Sequence, residues 1–220
     1  MNNGECPVDI PAGGVNLSGD LCLPDGAQGL VVFAHGSGSS RLSTRNRRVA
    51  TALREAGLGT LLFDLLTRDE EKIDEVTAEL RFNISFLAER LVAVTDWIET
   101  QEDSNKLPIG YFGASTGAAA ALVAAALRPG RVAAVVSRGG RPDLALKHLD
   151  KVKAPTLLIV GGDDTEVIKL NQIALNKLTA AKELVIVPGA THLFEEPGTL
   201  EEVQQLVAAW FLKYLPSAER

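Results

Sequence analysis

A serine between two glycines is the first candidate for chemistry in this sequence. Residues 113–117 read Gly-Ala-Ser-Thr-Gly, directly after an apolar run and directly before an alanine-rich segment, residues 118–127, that is typical of a helix. In a strand, turn and helix of this kind the sharp turn leaves the serine hydroxyl protruding, and the glycines let strand and helix approach closely. We therefore predict that Ser115 is a nucleophile; a structural turn of small residues is the alternative.

A serine hydroxyl needs a base to take its proton, and that base is usually a histidine. The chain has three histidines. His35 precedes the serine in a Gly/Ser loop, and His148 lies in residues 142–149, a presumed helix where a surface role is the simpler interpretation. His192 follows the last predicted strand, and open α/β sheets bind ligands at the carboxyl ends of their strands. We predict His192 as the base, with a solvent-exposed loop histidine as the alternative.

The carboxylate that orients the histidine is expected at the end of another strand. Residues 161–166 read Gly-Gly-Asp-Asp-Thr-Glu and follow the strand that precedes His192. We predict Asp164 as the orienting acid. Asp163 is expected to be a turn residue or the cap of the next helix, and Glu166 is expected in the first turn of that helix. Asp163 remains the alternative for the orienting acid.

Acyl transfer also needs two hydrogen-bond donors for the negative oxygen of the tetrahedral intermediate. The backbone N–H of Thr116, directly after the nucleophile, is the first predicted donor. The second is the backbone N–H of Ser37, in the loop of residues 34–40, Ala-His-Gly-Ser-Gly-Ser-Ser. This loop could instead cradle a phosphate, but it lacks the Gly-Lys-Ser/Thr ending of a P-loop and the Gly-x-Gly-x-x-Gly pattern of a dinucleotide turn.

Two arginines, Arg138 and Arg141, flank a pair of glycines after another predicted strand. A planar guanidinium at this edge of the sheet could hold a substrate carboxylate or phosphate by two parallel hydrogen bonds. The alternative is an ion pair with Asp143 or another acid that fixes the loop. Both arginines are therefore candidate substrate-binding residues.

The elements that must position these residues follow from the alternation of apolar runs and helical patterns, which is typical of βα units and a mainly parallel sheet. Residues 8–10 and 17–23 predict an antiparallel hairpin at the sheet edge, and the other predicted strands cover residues 30–33, 59–63, 109–112, 132–136, 156–160 and 184–187. The predicted helices cover residues 48–56, 80–99, 117–127, 167–178 and 200–215. We expect about eight buried strands with helices on both faces, in a single domain over residues 1–220.

Composition limits the class of protein further. A net charge of -6, from 22 Lys+Arg and 28 Asp+Glu, argues against nucleic acid or an anionic membrane as partner. Cys6 and Cys22 have neither metal-ligand nor redox spacing, so we expect reduced thiols in a cytoplasmic protein without a metal. The start has no signal-like pattern and no apolar run approaches ~18 residues, which disfavours secretion and membrane spanning. The most charged stretch, residues 68–79, predicts a solvated loop and helix start without a special role.

These motifs together resemble the α/β-hydrolase superfamily, and within it the small lidless dienelactone-hydrolase-like proteins, a branch of which also occurs fused to phosphoribosyltransferases. The similarity runs from about residue 21 to residue 215 and depends on residues 33–41, 113–117, 137–144 and 161–164 together with His192. The chain order of the predicted serine, acid and histidine is the order that α/β-hydrolases use. No cap domain is expected, because only residues 137–155 are available where such domains are usually inserted.

The resemblance implies a serine hydrolase of uncertain substrate. An open site with few aromatic residues (7 Phe, 2 Trp, 2 Tyr) favours a small or medium soluble ester, and we expect cleavage of such an ester, lactone or thioester through an acyl-enzyme, without a cofactor. Dienelactone hydrolases proper use a cysteine nucleophile, whereas this chain has Ser115 and no cysteine beyond residue 22, so dienelactone turnover is not expected to carry over. Two alternatives stay open: a perhydrolase or acyltransferase with the same triad, and a non-catalytic anion- or nucleotide-binding module that uses residues 36–40 with Arg138. We expect a monomer or homodimer.

Overall fold

The computed structural model describes residues 4–215, and the strands of this part of the chain lie in one sheet. The strands are β1 (Cys6–Ala12), β2 (Val15–Cys22), β3 (Leu30–Ala34), β4 (Gly59–Phe63), β5 (Ile109–Ala114), β6 (Val132–Arg138), β7 (Thr156–Gly161) and β8 (Lys182–Val187). The helices are α1 (Thr44–Glu55), α2 (Arg68–Thr77), α3 (Ile84–Ile98), α4 (Thr116–Leu127), α5 (Thr165–Lys177) and α6 (Thr199–Tyr214).

The strand order is β1-β2-β4-β3-β5-β6-β7-β8. β1 and β2 form an antiparallel hairpin, β2 pairs antiparallel with β4, and the remaining pairings of the described sheet are parallel. The predicted eight-stranded, mainly parallel sheet with a hairpin at its edge is confirmed for the described residues. Because parallel strands point the same way, the loops that follow β3, β5, β6, β7 and β8 emerge together at one edge of the sheet.

Helices cover both faces of the sheet, as predicted. Neighbouring residues of β5 enter different cores, since Tyr111 packs in the core that contains α3 and α4, and Phe112 packs in the core that contains α1 and α6. Helix α4 is apolar on nearly all sides and is therefore buried rather than amphipathic. The prediction of a wholly buried sheet is wrong at β8, where Lys182, Glu183 and Ile186 are exposed because β8 is the outer strand.

Most of the charged stretch of residues 68–79 forms a helix of its own, α2 (Arg68–Thr77), instead of the predicted loop and helix start. Its N-terminus is a capping box, in which the Thr67 hydroxyl accepts from the N–H of Glu70 at 3.2 Å and the Glu70 carboxylate accepts from the N–H of Thr67 at 2.7 Å. The buried Asp74 accepts hydrogen bonds from the backbone and the side chain of Arg81, which fixes the turn into α3.

The presumed helix over residues 142–149 is also wrong. Two short 3-10 turns, Pro142–Ala145 and Leu149–Lys151, stand in its place, and His148 lies between them. The link between β6 and β7 contains these turns and no inserted domain, so the expected architecture without a cap is confirmed. Within residues 4–215, no helix combines the length and the apolar character needed to cross a membrane.

Candidate active site

Ser115 lies in the sharp turn between β5 and α4, with φ 51° and ψ -121°. An L-residue in this region of backbone space is strained, and such strain is found where a structure must present a side chain in one direction. A Cβ on Gly113 would overlap Ala118, and a Cβ on Gly117 would overlap the carbonyl oxygen of Ala34. Both glycines of the motif are therefore required by close approach of the backbone.

The loop after β6 holds the backbone of this turn from the side. The N–H of Ser115 donates to the carbonyl of Arg138 at 3.3 Å, and the N–H of Arg141 donates to the carbonyl of Ser115 at 3.1 Å. The buried amide of Asn171, on α5, donates to the carbonyl of Gly140 at 3.1 Å and so fixes this loop in turn. Sequence reasoning did not single out Asn171, and no local pattern points to it.

His192 and Asp164 lie together, since the ring nitrogen Nδ1 of His192 is 2.6 Å from a carboxylate oxygen of Asp164. Asp164 occupies the N-cap position of α5, and Asp163 is a turn residue, which is one of the two roles expected for it. The side chain of Asp163 is exposed, and Glu166 lies in the first helical turn as predicted. The carboxylate of Asp164 is the one positioned to orient the imidazole.

The loop that carries His192 is fixed on both sides of the histidine. The backbone and the hydroxyl of Thr191 donate to the carboxylate of Glu196 at 3.1 and 2.6 Å, and the hydroxyl contact holds the pKa of Glu196 below its ordinary value. Phe194 is 1% exposed and has φ 57°, an unusual conformation for a bulky side chain. These contacts hold the short loop that carries His192.

The loop after β3 meets the serine turn, as the predicted pair of oxyanion donors requires. The N–H of Ser37 donates to the Thr116 hydroxyl at 3.0 Å, and a Cβ built on Gly36 would lie 3.0 Å from the Cβ of Ser115. Thr116 is the first residue of α4, so its N–H has no carbonyl partner within that helix. The N–H of Ser37, which we expected to face substrate, instead donates to the Thr116 hydroxyl in the free protein.

His35 links this loop to the segment after β4 and is not available as a base. Its Nε2 accepts from the N–H of Leu65 at 3.0 Å, and its Nδ1 donates to the carbonyl of Gly36 at 3.0 Å. These partners fix a neutral tautomer, and burial lowers the pKa of His35 below its ordinary value. The side chain and backbone of Arg41 bind Asp64 and strengthen the same connection.

A cavity of about 280 Å³ opens beside the two predicted oxyanion donors. Leu65, Leu66 and Leu87 give it apolar surface, and Glu71 and Glu75 of α2 line another part. Burial raises the pKa of Glu71, and the charges of Asp64 and Glu75 raise it further. Helix α2 therefore supplies one wall of the space next to the serine turn, a position that the sequence did not predict for the charged stretch.

The two candidate arginines have different surroundings. Arg141 makes two parallel hydrogen bonds of 2.8 Å to Asp143, which is the ion pair given as the alternative to substrate binding. Arg138 is buried, and its Nε and Nη1 atoms have no hydrogen-bond partner among the described residues. Its guanidinium carbon lies 6.0 Å from the ring centres of Phe112 and Phe194. Burial lowers the pKa of Arg138 to about 10.

The eight-stranded sheet of the described residues, with a strained serine turn after β5, a helix layer on each face and no cap, defines an α/β-hydrolase fold. Residues 17–213 match the profile of the dienelactone hydrolase family. The chain belongs to this family and has the α/β-hydrolase fold. The resemblance inferred from the motifs is confirmed.

Three known proteins illustrate this relationship. A crystal structure of a dienelactone hydrolase from Anabaena variabilis is 60% identical, with a TM-score of 0.95, over 96% of this chain and 98% of that chain. A lidless α/β serine hydrolase from Xanthomonas campestris is 20% identical, with a TM-score of 0.75 over 100% of this chain and 99% of that chain, and this likeness concerns the fold alone.

The third protein, from Mycobacterium tuberculosis strain H37Rv, is described as a putative phosphoribosyl transferase. It is 57% identical over 208 residues, which are 94% of this chain and 46% of that protein. The chain spans about half the length of the curated relatives that it matches in this way. The expected relation to a branch fused to phosphoribosyltransferases agrees with that name.

Proposed function

We propose that the protein is a serine hydrolase that cleaves a small or medium carboxylic ester, lactone or thioester through an acyl-enzyme. The observation that carries the proposal is the 2.6 Å contact between His192 Nδ1 and the Asp164 carboxylate, at the same edge of the sheet as the strained turn of Ser115. A histidine oriented by a partly buried acid, at the sheet edge that also carries a strained serine turn, is the arrangement that activates a hydroxyl nucleophile.

The reaction has two halves. In the first, the Ser115 Oγ attacks the carbonyl carbon while His192 Nε2 takes the hydroxyl proton, and the same nitrogen then gives this proton to the departing alcohol or thiol. In the second, His192 takes a proton from water, the resulting hydroxide attacks the acyl carbon, and the proton returns to Ser115. Asp164 holds the proton on Nδ1 throughout and stabilises the imidazolium that forms.

The negative oxygen of each tetrahedral intermediate is assigned to the backbone N–H groups of Thr116 and Ser37. In the free protein the Ser37 N–H donates to the Thr116 hydroxyl at 3.0 Å. This hydroxyl can turn about its Cα–Cβ bond, so the carbonyl oxygen of a substrate is proposed to replace it as the acceptor. The cavity lined by Leu65 and Glu71 adjoins this position and is the proposed space for one half of the ester.

An acyltransferase or perhydrolase would share the first half-reaction and differ only in the acceptor that attacks the acyl-enzyme. Product analysis in the presence of an added alcohol or of hydrogen peroxide separates these activities from hydrolysis. A non-catalytic anion-binding module is the remaining alternative, and the buried, unpaired side chain of Arg138 is the observation that favours it.

Labelling with a fluorophosphonate probe tests the proposal directly, because the probe forms a covalent bond only with an activated serine. We expect labelling at Ser115 in the wild type and none in Ser115→Ala. A p-nitrophenyl ester of a short acid should show a burst of nitrophenol, and Ser115→Ala should lower the rate by a factor on the order of 10⁴. Absence of both labelling and esterase activity in the folded wild type would contradict the proposed function.

A further inference from the structure

Arg138 is a buried cation without a charged or hydrogen-bonding partner in the described chain. The residue is 7% exposed, and its Nε and Nη1 atoms are buried without an acceptor. Its neighbours are the faces of two aromatic rings, Phe112 and Phe194, each 6.0 Å from the guanidinium carbon. A buried guanidinium in such surroundings is costly, because the ring contacts recover only part of the hydration that the charge has lost.

The charges around Arg138 make this cost larger. The charge of Arg45, near the start of α1, adds to burial in lowering the pKa of Arg138. Arg45 itself forms an ion pair with Glu195 at 2.9 Å.

The position of Arg138 connects it to the proposed catalytic residues on two sides. Its backbone carbonyl accepts from the N–H of Ser115, and Phe194, whose ring it faces, lies two residues after His192. A Cβ built on the next residue, Gly139, would lie 3.5 Å from the imidazole carbon Cε1 of His192. Arg138 therefore contacts both the serine turn and the loop that carries His192.

Arg141, in the same loop, is an arginine whose charge is paired within the protein. Its guanidinium is half-buried and fully paired with Asp143 through two parallel hydrogen bonds. Arg138, three residues earlier and more deeply buried, has no such acid. Proteins keep an uncompensated buried charge chiefly where a ligand supplies the counter-charge.

We propose that Arg138 binds an anionic group of the substrate, so that the preferred ester carries a carboxylate or a phosphate near its reacting carbonyl. The inference rests on the proposed function, because it names the substrate class of the same site. Of the two arginines singled out by the sequence, the structure assigns this role to Arg138 alone.

Paired kinetics test the proposal. The substrates are p-nitrophenyl butyrate, which is neutral, p-nitrophenyl hemisuccinate, which carries a carboxylate, and the p-nitrophenyl ester of 3-phosphonopropionic acid, which carries a phosphonate as a stand-in for phosphate. The wild type should prefer one of the two charged esters, and the better one distinguishes a carboxylate from a phosphate ligand. Arg138→Gln should lower the ratio of kcat/KM for the charged over the neutral ester by about 10- to 100-fold.

Two further variants separate recognition of the anion from support of the loop. Arg138→Lys keeps a charge and should recover part of the ratio. The matched control Arg141→Gln should change kcat/KM for all three esters by one common factor. An Arg138→Gln protein that loses the same factor on every ester would overturn the proposal and leave Arg138 as a support for Phe194.

A binding measurement distinguishes failure of this inference from failure of the proposed function. Succinate and inorganic phosphate are titrated against Ser115→Ala, and the shift of the melting temperature is recorded. A shift with Ser115→Ala that disappears in Ser115→Ala/Arg138→Gln supports the anion site even if no ester is hydrolysed. Ester hydrolysis without any anion preference and without a shift overturns the anion site and leaves the hydrolase intact.

Discussion

Asp164 occupies the N-cap position of α5, yet its carboxylate lies 2.6 Å from His192 Nδ1 and makes no cap hydrogen bond to the described helix. An acid at an N-cap ordinarily accepts from the first free N–H groups and stabilises its helix by about 1 kcal/mol. The Asp164 carboxylate contacts the imidazole and does not accept from the first N–H groups of α5, so α5 lacks this stabilisation.

The first prediction follows from this contact. Asp164→Asn should lower kcat by roughly 10³- to 10⁴-fold, because the amide can donate to Nδ1 and favour the wrong tautomer of His192. The matched control is Asp163→Asn, which removes the exposed neighbouring carboxylate and should cost far less. Steady-state kinetics with p-nitrophenyl acetate measure both, and the reverse ranking would transfer the role to Asp163.

Backbone strain at Ser115 gives a second prediction, on stability. With φ 51° the turn favours a residue without a Cβ, so Ser115→Gly should be more stable than Ser115→Ala by about 1 kcal/mol, although both variants are inactive. In a protein of this size that difference corresponds to roughly 2–4 °C in Tm. Thermal unfolding of the two variants side by side checks this, and equal Tm values would argue against strain in the turn.

Asn171 is predicted to be a positioning residue. Asn171→Leu removes its hydrogen bonds to the carbonyls of Gly140 and Val167, and should lower the free energy of unfolding by about 1–3 kcal/mol. Because Gly140 belongs to the loop that holds Ser115, kcat should fall about tenfold with little change in KM. The control Gln172→Ala changes an exposed neighbour on the same helix. An unaltered kcat in the folded Asn171→Leu protein would show that the contact is only structural.

The buried imidazole of His35 predicts a pH-dependent stability. Burial lowers the pKa of His35 in the folded protein, so below about pH 6.5 the unfolded chain binds a proton that the folded protein does not. The free energy of unfolding should therefore decrease as the pH falls below that value, by up to about 1.4 kcal/mol per pH unit from this group.

Urea unfolding between pH 5 and pH 8 measures this slope. His35→Gln should flatten it, whereas His148→Gln, a change outside the site, should leave it as in the wild type. A slope in His35→Gln equal to that of the wild type would assign the pH dependence to other groups.

The sequence predicted the central strands to within one or two residues, because β-branched and leucine-rich runs are read directly as buried strands. It missed α2 as a separate helix, because the residues of α2 are mostly charged and only Ile73 and Val76 are apolar, although the Thr67 and Glu70 pattern of a capping box was present. The helix that follows begins at Ile84 and not at residue 80, since residues 80 and 81 bind Asp74 instead.

Within the site, the position of each candidate and the pairing of Asp164 with His192 could be predicted from strand ends, but the fate of each arginine could not. Arg141 takes the nearby Asp143, whereas tertiary packing buries Arg138 beside Phe112. Likewise, the hydrogen bond from Ser37 to the Thr116 hydroxyl joins residues 79 positions apart. Such relationships depend on how loops from different strands meet, which no local pattern encodes.

Helix α2 belongs to a different part of the chain from the turns that carry the candidate catalytic residues. The candidate catalytic residues stand on turns after β5, β7 and β8, whereas the acidic wall of the neighbouring cavity belongs to a helix between β4 and α3. That helix carries its own cap and its own Asp74 anchor. Substitutions at Glu71 and Glu75 would therefore change the wall of the proposed ester space and leave the turns of the candidate catalytic residues in place, so that preference for a different ester could evolve by changes within one helix.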